Sequence, residues 1–342
     1  MPEEPVIRSV GEFAKSLGLS RWTVSRILNG HSGVHEDTAK RVLDEMKRLH
    51  FQPNMMARSL RGTKTGLVGV CLQEVDSPIL ARKISEIQRA LHARDLRGVI
   101  ELTAGQSDAE HKIINHFLSL KVDGIVLVGS TLTPDDSIFT RLKQENTSVV
   151  AVDATWNVPL PRIELDRQAA MLICLRHLRQ RGRRSFALLG LESDPVYGAR
   201  RIEGLKSAAK KLELSWKESF TSIKVDTQSD WSFSYGHAAA QELLQMESPP
   251  RGIIALNDEV AIGAMKAIKE WGYGIPKDFS IVGFDNLDIG QWVEPSLTSI
   301  AQNVSELIEQ AIDIMQSISE GSNPDEFPIV KVQPKLNVRG SS

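Results

Sequence analysis

The chain has 342 residues, 41% of them hydrophobic and 25% charged, with a formal net charge of −2, the profile of a globular protein with room for two to three domains. The N-terminus, MPEEPVIRSV, has no apolar signal core, and no uninterrupted apolar run reaches membrane-spanning length. Those features exclude an exported or membrane-spanning chain and point to the cytoplasm.

The charge is unevenly distributed. Residues 1–66 hold 11 Lys/Arg and 7 Asp/Glu, whereas the remainder holds 30 and 36. A basic head on an acidic body is expected when only the head meets phosphate. Three short helices are predicted in that head. Ser9-Val10-Gly11-Glu12 is a capping-box pattern, and Val10, Phe13, Ala14 and Leu17 recur at helical spacing. Gly18 ends this helix; Ser20 can cap the next, from Arg21 to Leu28, which Asn29-Gly30 ends. The third covers about 36–49, with Ala39, Val42, Leu43, Met46 and Leu49 as its stripe. Helix, tight turn and helix is the geometry that lays a recognition helix in the major groove. The second helix turns Arg21, Trp22, Ser25 and Arg26 away from its apolar stripe. Arginine pairs bidentately with guanine, and short hydroxyls suit phosphates. On these residues alone, a protein-binding three-helix head remains open.

Pro53-Asn54 then starts a helix-capable piece, 55–61, ended by Gly62. So few residues do not make a stable helix alone, because nucleation costs more than the few bonds return.

From Leu67 the texture changes. Apolar runs bounded by turn residues occur at 67–72, 99–104, 124–129, 149–154, 185–190, 222–225, 252–257 and 280–285, their starts 25–37 residues apart. Cys71 and Cys174, the only cysteines, lie in apolar stretches and suit buried thiols in a reducing compartment. Continuous apolar strands alternating with amphipathic helices mean parallel sheets covered on both faces. Two doubly wound lobes fit the eight runs better than one, with a closed eight-stranded barrel as the geometric competitor. The lobe boundary is expected near 163, with the chain crossing back near 291 and again near 325.

Such lobes make a cleft at the carboxyl ends of their strands. Asp153 ends one run, Asn257-Asp258 another and Asp285 a third; Arg201 starts the helix after 185–190, and Trp231 lies in SDWS. Acceptors, a bidentate donor and an aromatic plane around one cleft suit a hydroxyl-rich small molecule. Each residue also has a plain structural use: Asp285 or Asn257 as a loop cap, Arg201 in an interlobe ion pair, Trp231 as packing. Arg179, Arg181, Arg183 and Arg184 form a basic run that reads as a solvated turn. No Ser-His-Asp set, metal-spaced cluster, phosphate loop or dinucleotide fingerprint is evident.

Several longer segments share one resemblance. LSRWTVSRILNG (19–30), HEDTAKRVLDEMKRLHFQPN (35–54) and MMARSLRGTKTGLVGV (55–70) resemble the head, hinge and first core strand of the LacI/GalR family in unbroken order. The likeness continues through KVDGIVLVG (121–129), ALNDEVAIGAMKAI (255–268), SIVGFDN (280–286), PSLTSIAQN (295–303) and VRGSS. It implies a small all-α helix-turn-helix head, 1–52, a hinge, 53–65, and an α/β core, 66–342, of two doubly wound lobes like a periplasmic binding protein. The N-lobe would take about 66–163 and 292–325, the C-lobe about 164–291 and 326–342.

The resemblance also implies a repressor that binds palindromic double-stranded operator DNA as a homodimer. A small polar, sugar-like effector would control it, with no cofactor, metal or catalytic residue. Arg21, Trp22 and Arg26 sit at the family's base-reading positions, and Ser20, Thr23, Ser25 and Asn29 where it contacts phosphate. Trp22 departs from the small or polar residue usual there; its indole could pack on a thymine methyl or on sugars. The hinge, with Asn54, Ala57, Arg58, Leu60 and Arg61, would order when two copies pair in the minor groove, Leu60 wedging a base step. Effector contacts fall on Asp153, Arg201, Asn257 and Asp285, and in some members on Trp231. No leucine heptads follow the core, so a dimer and not a tetramer is expected. A nucleobase is the other effector class, and a sugar-binding sensor or transport protein with the same core is the rival function.

Overall fold

The computed structural model describes residues 7, 9–28, 33–49, 51, 64–192, 197–225, 232–327 and 329–342. They fall into two compact units, Met1–Thr65 and Gly66–Ser342.

In the first unit, α1 (Val10–Ser16), α2 (Arg21–Leu28) and α3 (Glu36–Arg48) form. Ser9 Oγ accepts the Glu12 amide at 3.2 Å, satisfying one of the free donors of α1. Phe13, Ala14, Leu17, Val24, Ile27, Val42 and Phe51 make the core, in which the Phe13 and Phe51 rings stack at 4.5 Å. Arg41 donates to the Leu17 carbonyl at 3.0 Å, tying α3 to the turn after α1. Asn29, Asn54, Ala57, Arg58, Leu60 and Arg61 lie outside the described residues, as does Trp231 of the second unit.

The second unit holds two six-stranded sheets. The first contains β1 (Leu67–Leu72), β2 (Arg97–Leu102), β3 (Gly124–Val128), β4 (Val149–Val152), β5 (Arg162–Leu165) and β11 (Val330–Val332), in the order β11-β5-β4-β3-β1-β2. The second contains β6 (Phe186–Leu189), β7 (Phe220–Ile223), β8 (Gly252–Ala255), β9 (Ser280–Phe284), β10 (Thr298–Ala301) and β12 (Lys335–Asn337), in the order β12-β10-β9-β8-β6-β7. Every pairing is parallel except β10 with β12. These are two open, doubly wound sheets, which rules out the closed barrel. The order reverses between β1 and β3 and between β6 and β8, the switch points where such folds leave a crevice.

Helices cover each sheet. Between the first six strands run α4 (Pro78–His92), α5 (Ser107–Leu120), α6 (Ile138–Gln144) and α7 (Arg167–Gln180). The second lobe carries α8 (Tyr197–Lys211), α9 (Trp216–Ser219), α10 (Phe233–Leu244), α11 (Asp258–Glu270) and α12 (Ile289–Trp292). Helix α13 (Val304–Ser319) returns to the first lobe, burying Leu307, Ile308, Ala311 and Ile312 against Val126, Val150 and Ile163.

Two expectations need correction. The eight apolar runs all become strands, but β5, β10, β11 and β12 add to them. β5 carries Arg162 and Glu164 and β10 carries Thr298 and Ser299, so neither is a continuous apolar run. The returns between lobes also come later than 291 and 325. β10 belongs to the second sheet, so the chain crosses back near 302; β11 belongs to the first and β12 to the second, so the last crossing falls between 332 and 335. Cys71 and Cys174 are buried and unbridged, and burial pushes the Cys174 thiol up to about 12.

Candidate functional site

In the head, Val24 and Ile27 face the core while Arg21 and Trp22 are exposed. Ser20 Oγ accepts the Thr23 amide at 3.0 Å and shares a hydrogen bond with Thr23 Oγ1 at 2.8 Å. Both hydroxyls, expected at phosphates, therefore also build the helix cap. Trp22 is 66% exposed, and the Arg26 guanidinium lies 4.9 Å from its ring centroid. One helical turn separates them, so indole and guanidinium form a cation–π pair. That partner for Trp22 was not among the contacts foreseen for it. Ser25 is half-buried on the same helix.

In the core, polar strand ends meet at the carboxyl edges of the two sheets. Asp153 follows β4 at φ 51 and is fully buried. Its Oδ2 accepts from Lys83 Nζ at 2.7 Å, and its Oδ1 accepts from Arg167 Nη2 at 3.0 Å and from the Leu165 amide at 3.2 Å. Burial pushes its carboxyl up, but the Arg167 and Lys83 charges outweigh burial and hold it well below the usual carboxylate range. Lys83 lies on α4 and Arg167 opens α7, so this carboxylate joins both lobes next to a crossover.

Asp285 follows β9 at φ 102, buried, with Oδ1 accepting from Gln302 Nε2 at 2.5 Å. Burial raises its pKa against the opposing pull of Arg201, Gln302, Lys83 and Arg167, which places charges of both lobes around one carboxyl. Arg201 is buried on α8; its guanidinium lies 3.8 Å over the Phe284 ring and donates to the Leu256 carbonyl. Asn257 caps α11, its Oδ1 accepting the Val260 amide at 2.8 Å. Asp258 beside it is fully buried and accepts from Ser299 Oγ at 2.5 Å and from the Leu287 amide at 2.6 Å. Burial and then the Asp285 charge push its carboxyl up to about 8, so it is protonated at neutral pH.

Other bonds span the lobes. Arg200 of α8 donates to the Thr155 carbonyl at 2.7 Å and lies 3.7 Å from Glu164 of β5. Arg82 of α4 reaches the Asn286 carbonyl at 3.4 Å. The cleft is therefore polar on both walls and bridged at its rim.

Four of the five expected cleft residues, Asp153, Arg201, Asn257 and Asp285, lie at these strand ends and helix starts; Trp231 is outside the described residues. Sequence reasoning missed Lys83, Arg167 and Gln302. Lys83 stands in register with Ile79 and Ile87 on the buried side of α4, and a lysine on an apolar stripe was the available signal. Arg167 and Gln302 follow β5 and β10, whose polar residues hid both strand ends. Among the described residues, no three His, Cys, Asp or Glu side chains converge as a metal site requires, and no helix is long and apolar enough to cross a membrane.

Residues 10–54 match the family described as bacterial regulatory proteins, lacI family, and residues 175–342 match the periplasmic binding protein-like domain. The chain is 25% identical over 335 residues to catabolite control protein A of Priestia megaterium, covering 98% of this chain and 99% of that one. It is 28% identical over 301 residues to the ribose operon repressor of Halalkalibacterium halodurans, covering 88% and 86%. A crystal structure of the lac repressor dimer bound to operator and the anti-inducer ONPF superposes with a TM-score of 0.86 at 23% identity, covering 99% of each chain.

Proposed function

Because residues 10–54 match the lacI family of bacterial regulatory proteins and the chain is similar along 98% of its length to a catabolite control protein, we propose that it is a member of that family, a cytoplasmic repressor, not an enzyme, that binds palindromic operator DNA as a homodimer under the control of a sugar-like effector. One observation carries this reading. A helix with Arg21, Trp22 and Arg26 on its outer side shares the chain with a core whose two lobes both set charges around Asp285. The name of the ribose operon repressor and the ligands of the lac repressor dimer fit the same reading.

Arg21 and Arg26 offer forks for guanine edges in the major groove. Ser20, Thr23, Ser25 and Asn29 hold the helix to the phosphates. The hinge, with Asn54, Ala57, Arg58, Leu60 and Arg61, enters the minor groove between two half-sites. In the core, Arg201 and Asp285 anchor ligand hydroxyls, Asn257 and Asp153 hold the walls in place, and Trp231 stacks on the ligand's apolar face. A ligand changes DNA binding only as far as it prefers one lobe arrangement over another. The bonds from Arg167 to Asp153 and from Arg200 to Thr155 belong to one such arrangement.

A gel shift on the gene's own upstream DNA, with and without a panel of sugars and purines, tests the proposal. A retarded complex that one sugar-like ligand alters is expected, and Asp285→Ala and Arg201→Ala should lose that ligand response. Ligand binding with no retarded complex on any upstream duplex would instead assign the chain to sugar sensing.

A further inference from the structure

Asp285 and Asn286 follow β9 with φ 102 and φ 51. Two successive non-glycine residues in the left-handed region are costly, and such strain persists only where the surroundings over-determine it. Here they do. The Asp285 amide donates to the Ile300 carbonyl at 2.8 Å, the Asn286 amide to Ser299 Oγ at 3.0 Å and the Leu287 amide to Asp258 Oδ2 at 2.6 Å. Ser299 Oγ donates in turn to Asp258 Oδ1 at 2.5 Å, so β10 and α11 together hold three consecutive amides. The Asn286 side chain is fixed as well, its Oδ1 accepting from Arg339 Nη2 at 2.7 Å. Strand β9 makes room for the arrangement, since a Cβ at Gly283 would lie 2.2 Å from Asp258 Oδ1. Asp258 and Ser299 are both fully buried, a placement that is costly for polar groups unless they are bonded in this way. Asp258 is not there to cap α11, because Asn257 already accepts the Val260 amide at 2.8 Å.

We propose that Asp258 and Ser299 are positioning residues of the effector site, which hold the 285–287 backbone in the strained form that presents the Asp285 carboxyl to the ligand. This rests on the reading of Asp285 as an effector anchor. Neither residue touches the ligand. Without them the backbone relaxes towards negative φ, and the carboxyl that Gln302 Nε2 meets at 2.5 Å turns out of place. Burial above all pushes the Asp258 carboxyl up to about 8, so at neutral pH asparagine is its closest stand-in. The asparagine oxygen can accept the Leu287 amide while its NH2 faces Ser299 Oγ.

Two measurements on the full chain at neutral pH test this. Hydrogen exchange without ligand, read by mass spectrometry, is expected to show the 285–287 amides protected in wild type and in Asp258→Asn. In Asp258→Ala and Ser299→Ala they should exchange faster, while β9 stays protected in all four chains. Calorimetric titration with ribose, glucose, galactose, cellobiose and hypoxanthine reads the consequence. The sugar that wild type binds should bind about ten- to a hundredfold more weakly to both alanine variants, and within about threefold of wild type to Asp258→Asn. Should Asp258→Ala fail to fold, Ser299→Ala, which removes a single oxygen, carries the same test. Unchanged exchange at 285–287, undiminished sugar binding by a folded alanine variant, or Asp258→Asn as weak as Asp258→Ala overturns the inference and leaves the cleft reading intact. Binding of hypoxanthine alone, or of none of the probes, overturns both.

Discussion

Asp258 and Asp153 are both fully buried carboxyls of one cleft, yet they titrate in opposite senses. Unfolded, each has the ordinary carboxylate value of about 4. Folded Asp258 titrates near about 8, so between those values the folded state keeps a proton that the unfolded state has released. Its contribution to stability is full below that window and is lost as pH rises through it. Asp153 is depressed, so its contribution is present above about 4 and lost as pH falls towards its folded value. Asp258→Asn has no charge at any pH. Its melting temperature relative to wild type should therefore climb as pH goes from about 5 to about 8, and a pH-independent difference would contradict the buried protonated acid. In the head, Arg26→Ala is expected to cost about 1–3 kcal/mol of operator binding and relax preference at one half-site position. Removing the guanidinium also frees the Trp22 indole. Equal loss on operator and random duplex, measured by gel shift, reassigns Arg26 to the phosphate backbone.

At the scale of elements, α10 and α11 approach closely enough that only glycine fits the contact. A Cβ at Gly263 would lie 1.9 Å from the Phe233 carbonyl oxygen, and one at Gly236 would lie 2.0 Å from that of Val260. Both obstacles are backbone, which cannot rotate away. Gly263→Ala must part the helices, at an expected cost of about 1–3 kcal/mol in spite of alanine's better helix propensity. Urea unfolding would register this as a lower midpoint with an unchanged slope; a stabilised variant would show that the contact yields. Helices α1, α2 and α3 were legible because their caps and stripes are local, and eight strands were legible because burial on both faces leaves unbroken apolar runs. β5 and β10 were not, since polar residues break their apolar runs: Arg162 bonds Asn157 in the loop before β5, and Glu164, Thr298 and Ser299 find partners far along the chain.

At the scale of the molecule, the second lobe exposes an apolar surface that a lone chain does not need. Trp292 is 86% exposed, and the next residue in the chain, Val293, lines a groove of about 450 Å³ with Ile262 and Met265, together with the charged Lys266, Lys269, Glu270 and Glu294. An aromatic anchor next to an apolar groove with a charged rim has the make-up of a subunit contact, which suits the proposed homodimer. Light scattering without DNA is expected to give two chains, and Trp292→Glu should shift the balance towards one. Four chains at micromolar protein would refute the dimer, and an unchanged mass for Trp292→Glu would put the contact on another face.

The local signals of the sequence were enough for the head's three helices, the alternating α/β texture and the acids at strand ends, because caps, periodicity and turns act over a few neighbours. The tertiary structure alone decided which sheet took β10, β11 and β12. It alone placed Lys83 on a carboxylate 70 residues away and set Arg167 and Gln302 around Asp153 and Asp285. Desolvation and charge pairing depend on which groups share a low-dielectric space, and residues distant in the chain share one only after both lobes have folded.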